Sequence, residues 1–127
     1  MSRLEVVLDA GCDARLPGEP VSGQATWELD APPRELEVRL FWYTEGRGDQ
    51  DQEVVASEAV PSPGASGWVR FDFRLPEGPY SFSGQLISLT WAVELVAERE
   101  GLAGRAELVV GPQRREVRLQ PEPAPES

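Results

Sequence analysis

The residue types that most often perform chemistry in enzymes are scarce in this chain. Its 127 residues include no histidine, no lysine and a single cysteine, Cys12. Without histidine, neither a Ser-His-Asp nor a Cys-His arrangement can be assembled. One cysteine and no histidine also exclude the usual structural zinc site, and a phosphate-binding loop would need a lysine. The sequence therefore predicts a protein that is not an enzyme and uses no cofactor.

Carboxylates remain as candidate chemical groups. Asp49, Asp51 and Glu53 are spaced by two residues in a polar loop, where their oxygens could hold a hard cation. The loop lacks the glycine and terminal glutamate of an EF-hand, so a solvated acidic hairpin tip is the favoured interpretation. A glycosidase-like pair stays open because the spacing that matters is spatial, although nothing selects two of the 22 acidic residues. Arg47-Gly48-Asp49, a tripeptide that integrins recognise, is interpreted as an ordinary polar turn.

Three aromatic residues are candidates for binding. Phe41 and Tyr43 fall on the strand face opposite Leu40 and Trp42, and Trp68 falls opposite its apolar neighbours in the next alternating segment. Outward aromatic side chains on a sheet can pack against a protein partner or stack on a sugar. Phe41, Tyr43 and Trp68 are therefore the predicted protein-binding residues, with carbohydrate or small-ligand binding as the alternative.

The charge of the chain limits its partners. The net charge is −10 and the isoelectric point is near 4.4, which disfavours nucleic acid and anionic membrane surfaces. The acidity favours solubility or attraction of a basic partner. All 12 basic residues are arginine and Ile87 is the only isoleucine, a bias that a GC-rich bacterial genome explains. A lone cysteine suits a reducing cytoplasm, and no segment resembles a signal peptide or a membrane span.

The elements that position these residues are predicted to be strands. Apolar and polar residues alternate with a period of two, and Ile87 begins the longest apolar face. The pattern predicts strands over residues 4–8, 21–29, 36–42, 69–75, 87–95, 106–110 and 117–119. A helix over residues 92–105 is the one competing interpretation, but the alternation continues through Ala97 and favours a strand.

Short strands separated by Pro- and Gly-rich turns predict an antiparallel, immunoglobulin-like β-sandwich of about seven to nine strands. We expect this domain to occupy residues 1–119. Residues 120–127 read QPEPAPES and lack an apolar anchor, so we expect a disordered tail or, alternatively, a short linear motif.

Two segments together resemble the arrestin family. Residues 16–29, LPGEPVSGQATWEL, are similar to the "PGE-x-V-x-G" pattern that opens an early arrestin strand. Residues 75–94 are similar to the arrestin "LP…SF-x-G…I-x-(aromatic)" segment, and residues 36–41 occupy the place of an "I-x-V-x-L" strand. The match covers most of residues 4–119. The matching positions to which we assign a structural role are Pro17, Gly18, Glu19, Gly23, Phe82, Gly84 and Trp91.

The resemblance implies an arrestin-like β-sandwich in a bacterial protein that acts as a non-enzymatic adaptor or scaffold. Arrestins usually carry two such sandwiches joined by a hinge, and this chain has one. No counterpart of the buried Arg–Asp core of visual and β-arrestins is found, so receptor and clathrin binding are not carried over. We expect a protein partner at a sheet edge or an exposed aromatic face, with self-association through edge strands as a further expectation.

Overall fold

A computed structural model of the chain describes residues 2–46, 50–84, 87–114 and 117–118. Within these residues the regular structure consists of strands and one turn of 3₁₀ helix, Pro112–Arg114. The strands are β1 (Arg3–Leu8), β2 (Ala14–Arg15), β3 (Pro20–Glu28), β4 (Glu37–Gly46), β5 (Gln52–Ala59), β6 (Ser66–Arg74), β7 (Phe82–Ser83), β8 (Ile87–Ala97), β9 (Leu102–Val110) and β10 (Val117–Arg118). The predicted all-β architecture is confirmed.

The smaller sheet has three antiparallel strands in the order β1-β3-β6. Its alternation places Val21, Ala25, Phe71 and Phe73 in the core and mainly charged or polar residues outside, with Val7 and Trp68 as apolar exceptions. The pairing of β3 with β6 runs from Pro20↔Arg74 to Glu28↔Ser66 without a change of register.

The larger sheet is built around β8, which pairs with β4 on one side and with β7 and β9 on the other. β4 in turn pairs with β5, which ends the sheet. Two short pairs, β2 with β9 and β7 with β10, are parallel. The long strands pair antiparallel as predicted, and the parallel pairs occur where two-residue strands meet neighbours that arrive from distant parts of the chain.

The two sheets enclose a single apolar cluster. Trp91, Leu40, Val93 and Leu95 are fully buried on the inner faces of β4 and β8, opposite the core residues of the smaller sheet. β1 lies against β9, because Gly104 has no side chain: a Cβ there would come within 2.7 Å of the Leu4 carbonyl carbon. β6 ends the smaller sheet, and β5 ends the larger one.

The first arrestin-like segment begins with a turn that Glu19 ties to neighbouring parts of the chain. Gly18 has a φ of +82°, a conformation that glycine adopts without strain. The Glu19 carboxylate accepts from the Leu16 amide at 2.6 Å and pairs with Arg15 and Arg114 at 3.1 and 2.8 Å. The Leu16 hydrogen bond is the main reason that the pKa of Glu19 lies below its usual range. Glu19 thus ties the start of β3 to β2 and to the 3₁₀ turn.

The loop before β7 in the second arrestin-like segment is tied to Trp91 of β8 and to the end of β9. The Trp91 indole N–H donates to the Pro79 carbonyl at 2.7 Å. The buried Ser81 donates its amide to the Val110 carbonyl at 2.7 Å, and its hydroxyl accepts from the Val110 amide at 3.0 Å. Phe82 is partly buried and packs against the core.

Some predicted elements differ from the structure. β5 was not among the predicted strands, and β9 begins at Leu102, earlier than residue 106. The helix alternative for residues 92–105 is excluded, because β8 continues to Ala97 and a turn leads into β9. Arg47-Gly48-Asp49 and residues 120–127 lie outside the described part of the chain. No helix among the described residues is long and apolar enough to cross a membrane.

Candidate protein-binding surface

Trp68 is the most exposed large hydrophobic residue among those described, with 63% of its surface open to solvent. It lies on the outer face of β6, directly opposite Thr26 of β3. A shallow groove of about 540 Å³ runs beside it and is lined by Arg3, Glu5 and Glu28 as well. A large aromatic surface with polar neighbours is a typical anchor for a partner.

β6 also carries unpaired backbone groups. The Leu75 amide donates to the Glu19 carbonyl at 3.0 Å, and the Ala65 carbonyl accepts from the Leu29 amide at 2.7 Å. Successive residues of a paired strand direct their backbone groups to alternate sides, so the odd-numbered residues of β6 bond to β3. The N–H and C=O groups of the even-numbered residues therefore point away from β3, toward the open edge of the sheet.

The side chains at these even-numbered positions are also exposed. They alternate in character along the strand: Trp68, Arg70, Asp72 and Arg74. The last three were not among the predicted contact residues, although the alternation of opposite charges could have indicated them. The open backbone edge and the outward row coincide, so β6 offers hydrogen bonds, an aromatic ring and alternating charges along one line.

Arg70, in the middle of this outward row, is held in place by an ion pair with the β1–β2 connection. Arg70 donates to both carboxylate oxygens of Asp9, at 2.9 and 2.5 Å, and the Ser22 hydroxyl donates to the same carboxylate at 2.7 Å. The Arg70 and Ser22 hydrogen bonds lower the pKa of Asp9 to about 2. The same contact with Asp9 raises the pKa of Arg70. Arg70 is therefore a fixed cation at the middle of β6.

The predicted exposure of Phe41 is wrong. Phe41 does lie on the outer face of β4, stacked on Tyr43 with ring centroids 5.7 Å apart, but only 5% of its surface is exposed. The Arg105 guanidinium from β9 lies 5.4 Å from the Phe41 centroid and 5.2 Å from the Tyr43 centroid. A cation over both rings covers them, so this face offers much less aromatic surface than Trp68.

β5 is the second open edge. Seven of its eight residues are exposed, including Val54 and Val55. Its register against β4 shifts between Leu40 and Phe41, and an irregularity of this kind disrupts the straight row of groups that an added strand needs. β6, with its unbroken register, is the better platform.

The described residues assemble no cation site. Among them, no group of three or more His, Cys, Asp or Glu side chains could hold a metal ion. Glu53 lies on β5, opposite Trp42, while Asp51 precedes the strand and Asp49 is outside the described residues. The possible cation loop thus gains no support from the described part of the chain.

The strand order, the sheet pairing and the two tied segments define an arrestin-like β-sandwich. Solved structures with this fold include Spo0M, a sporulation control protein from Bacillus subtilis, with a TM-score of 0.55 and 17% identity. The match covers 87% of this chain and 49% of Spo0M, so the chain spans about half the length of that protein. The similarity concerns the fold alone.

A β-glucosidase from Listeria innocua, solved with gluconolactone, overlaps 92% of this chain and 16% of its own, with 20% identity. Its TM-score of 0.47 is too low to support a functional comparison. No family model matches the sequence. No curated protein is significantly similar to it.

Proposed function

We propose that the domain is a non-enzymatic adaptor that binds a protein partner along β6, with Trp68 as the anchor. The observation that carries this proposal is the coincidence of a 63%-exposed tryptophan with an open, regular strand edge. The resemblance to arrestins and the arrestin-like fold support a regulatory binding module. We further propose that the sandwich occupies residues 1–119 and that the protein works in the cytoplasm of a bacterium.

The binding mode follows from the chemistry of the edge. An extended partner segment can add to a sheet as a further strand, since its backbone pairs with the outward amides and carbonyls. The affinity then comes from the backbone hydrogen bonds between β6 and the added strand, while the outward side chains of β6 determine which partner sequences bind. Trp68 would pack on an apolar or cationic side chain, and Arg74 would favour an acidic one, whereas Arg70 is already paired with Asp9.

Two substitutions at Asp72 separate the backbone contribution from that of the side chain. The Asp72 amide faces the open edge, so Asp72→Pro removes a donor that β3 does not use, and proline is tolerated at such edge positions. Asp72→Ala is the matched control, because it removes the carboxylate and keeps the amide.

The assay is affinity capture from lysate followed by titration of the captured protein in purified form. We expect Trp68→Ala and Asp72→Pro to weaken binding at least about tenfold, and Val7→Ser, an exposed position on β1, to leave it unchanged. Thermal melting checks that each variant is folded. Unaltered binding by folded Trp68→Ala and Asp72→Pro variants would show that β6 is not the contact surface.

Carbohydrate binding is the second candidate, because Trp68 is bordered by the polar groups of Arg3, Glu5 and Glu28 in the groove. An exposed indole ring flanked by hydrogen-bonding side chains suits stacking on a sugar. A glycan panel monitored by tryptophan fluorescence distinguishes the two candidates. Sugar binding would depend on Trp68 and be indifferent to Asp72→Pro, whereas strand addition depends on both.

A further inference from the structure

The outward row of β6 is complementary to itself when two copies of the strand run in opposite directions. In an antiparallel pair related by a twofold axis, each residue faces the one at the same distance on the other side of the axis. With the axis at Phe71, Trp68 faces Arg74 of the second copy and Arg70 faces Asp72 of the second copy. Each of these contacts occurs twice.

The neighbouring registers are less favourable. With the axis at Arg70, the two Arg70 side chains would face each other. With the axis at Asp72, the two Asp72 side chains would face each other, and Arg70 would face Arg74 of the second copy. Like charges directly opposite each other destabilise a strand pair. Registers shifted by a single residue fail for another reason, since they would pair outward-facing backbone groups with groups already bonded to β3. Of these registers, only the axis at Phe71 sets no like charges opposite each other; Arg70 keeps its ion pair with Asp9, and Asp72 of the second copy would lie beside that pair.

We propose that β6 pairs antiparallel with β6 of a second copy of this chain, in the register that joins Trp68 to Arg74 and Arg70 to Asp72. The backbone geometry agrees with this register, because all four residues direct their N–H and C=O groups to the open edge. Each of these pairs would exchange two backbone hydrogen bonds. The Arg74 guanidinium would lie over the indole ring, which covers the exposed Trp68.

The dimer is expected to be weak and reversible. Each copy carries a net charge of −10, so the two copies repel each other, most strongly at low salt. The inference uses the same edge as the proposed function but does not depend on it. If β6 forms the dimer and also binds the partner, the second copy and the partner segment compete for β6. Self-pairing then shields the strand edge when no partner is present.

Sedimentation velocity of the full chain over a range of concentrations tests the dimer. We expect a concentration-dependent monomer–dimer equilibrium. Asp72→Arg should abolish it, since Arg70 would then face an arginine. Trp68→Ala should raise the dissociation constant at least about fivefold, because two cation–π contacts are lost. Asp13→Arg makes the same charge change at an exposed position near β9 and should leave a dimer at least as tight. A chain that stays monomeric at about 1 mM overturns the proposal.

Disulfide trapping tests the register. The Cα atoms of a hydrogen-bonded antiparallel pair are about 5.5 Å apart, within the range that a disulfide spans. A mixture of Trp68→Cys and Arg74→Cys chains of different mass should therefore yield the mixed covalent dimer under mild oxidation. Either variant alone should not cross-link, since identical positions do not face each other. Predominant dimers of identical variants would show that the register is wrong.

The outcomes separate this inference from the proposed function. A monomeric chain that binds a partner in a Trp68- and Asp72-dependent way refutes self-pairing and leaves the adaptor proposal intact. A dimer trapped in the stated register, with no partner affected by β6 substitutions, supports self-pairing and refutes the adaptor proposal for this edge.

Discussion

Replacing Gly23 by alanine should destabilise the sandwich, because this glycine of the arrestin-like segment lies where β1 and β6 both approach β3. A Cβ at Gly23 would lie 2.7 Å from Phe71 Cζ, 3.0 Å from Leu8 Cα and closer still to the Val7 carbonyl oxygen. The phenyl ring can tilt, but the β1 backbone can yield only by moving away from β3. Overpacking of this kind costs about 1–3 kcal/mol, and the backbone contact places Gly23 at the upper end.

An opposing effect reduces the net loss. Alanine restricts the unfolded chain more than glycine does, which stabilises the folded state by about 0.4–1 kcal/mol. The free energy of unfolding should therefore fall by about 2 kcal/mol in urea or guanidinium titrations. For 127 residues, an unfolding entropy of about 2 cal/mol/K per residue makes this a fall of roughly 7 °C in Tm.

Gly64→Ala is the matched control. A Cβ at Gly64 meets its nearest atom, the Ser66 carbonyl oxygen, at 3.5 Å, an ordinary contact. This variant should be as stable as the parent or slightly more stable. If Gly23→Ala also unfolds within about 0.5 kcal/mol of the parent, the close approach of the β1 backbone and the Phe71 ring to Gly23 does not explain the glycine.

Three further predictions concern the polar contacts of the fold. Ser81→Ala should lower the free energy of unfolding by about 1–3 kcal/mol in denaturant titrations, because the buried Val110 amide loses its acceptor. The pKa of Asp9 is lowered to about 2, so its contribution to the free energy of unfolding is complete above pH 3.8 and is lost as the pH falls toward 2. Carboxyl NMR should show Asp9 titrating near the lower value. Asp9→Asn should remove this part of the acid sensitivity. Arg105→Ala should cost about 0.5–1 kcal/mol and increase the solvent exposure of Phe41, which quenching or NMR relaxation agents would detect.

The sequence patterns predicted the long strands well, because the inner face of each long strand is apolar and its residues recur at every second position. β8 is identified by Leu89, Trp91, Val93 and Leu95, which repeat every second residue and are all buried. β5 was not predicted because most of its side chains are exposed, so its sequence shows no alternation of buried apolar and exposed polar residues. The two-residue strands are too short for any period, and their parallel partners come from distant parts of the chain.

The candidate site could be predicted only in part. Alternation correctly placed Trp68 on an outer face, because its inward neighbours are apolar. The same reasoning assigned Phe41 to an outer face, yet could not show that Arg105, from a strand 64 residues later in the chain, covers the ring. Which strands are edges depends on the order of strands in the sheets, and alternation within single segments does not contain that information.

Amide hydrogen exchange on β6 tests most directly whether this edge is the binding surface. The measurement compares the chain alone, at a concentration where it is monomeric, with the chain saturated by a captured protein partner. We expect the amides of Trp68, Arg70, Asp72 and Arg74 to exchange quickly in the monomer and to become protected on binding, while the odd-numbered amides are protected in both states. Partner binding that leaves the even-numbered amides in fast exchange would contradict this expectation.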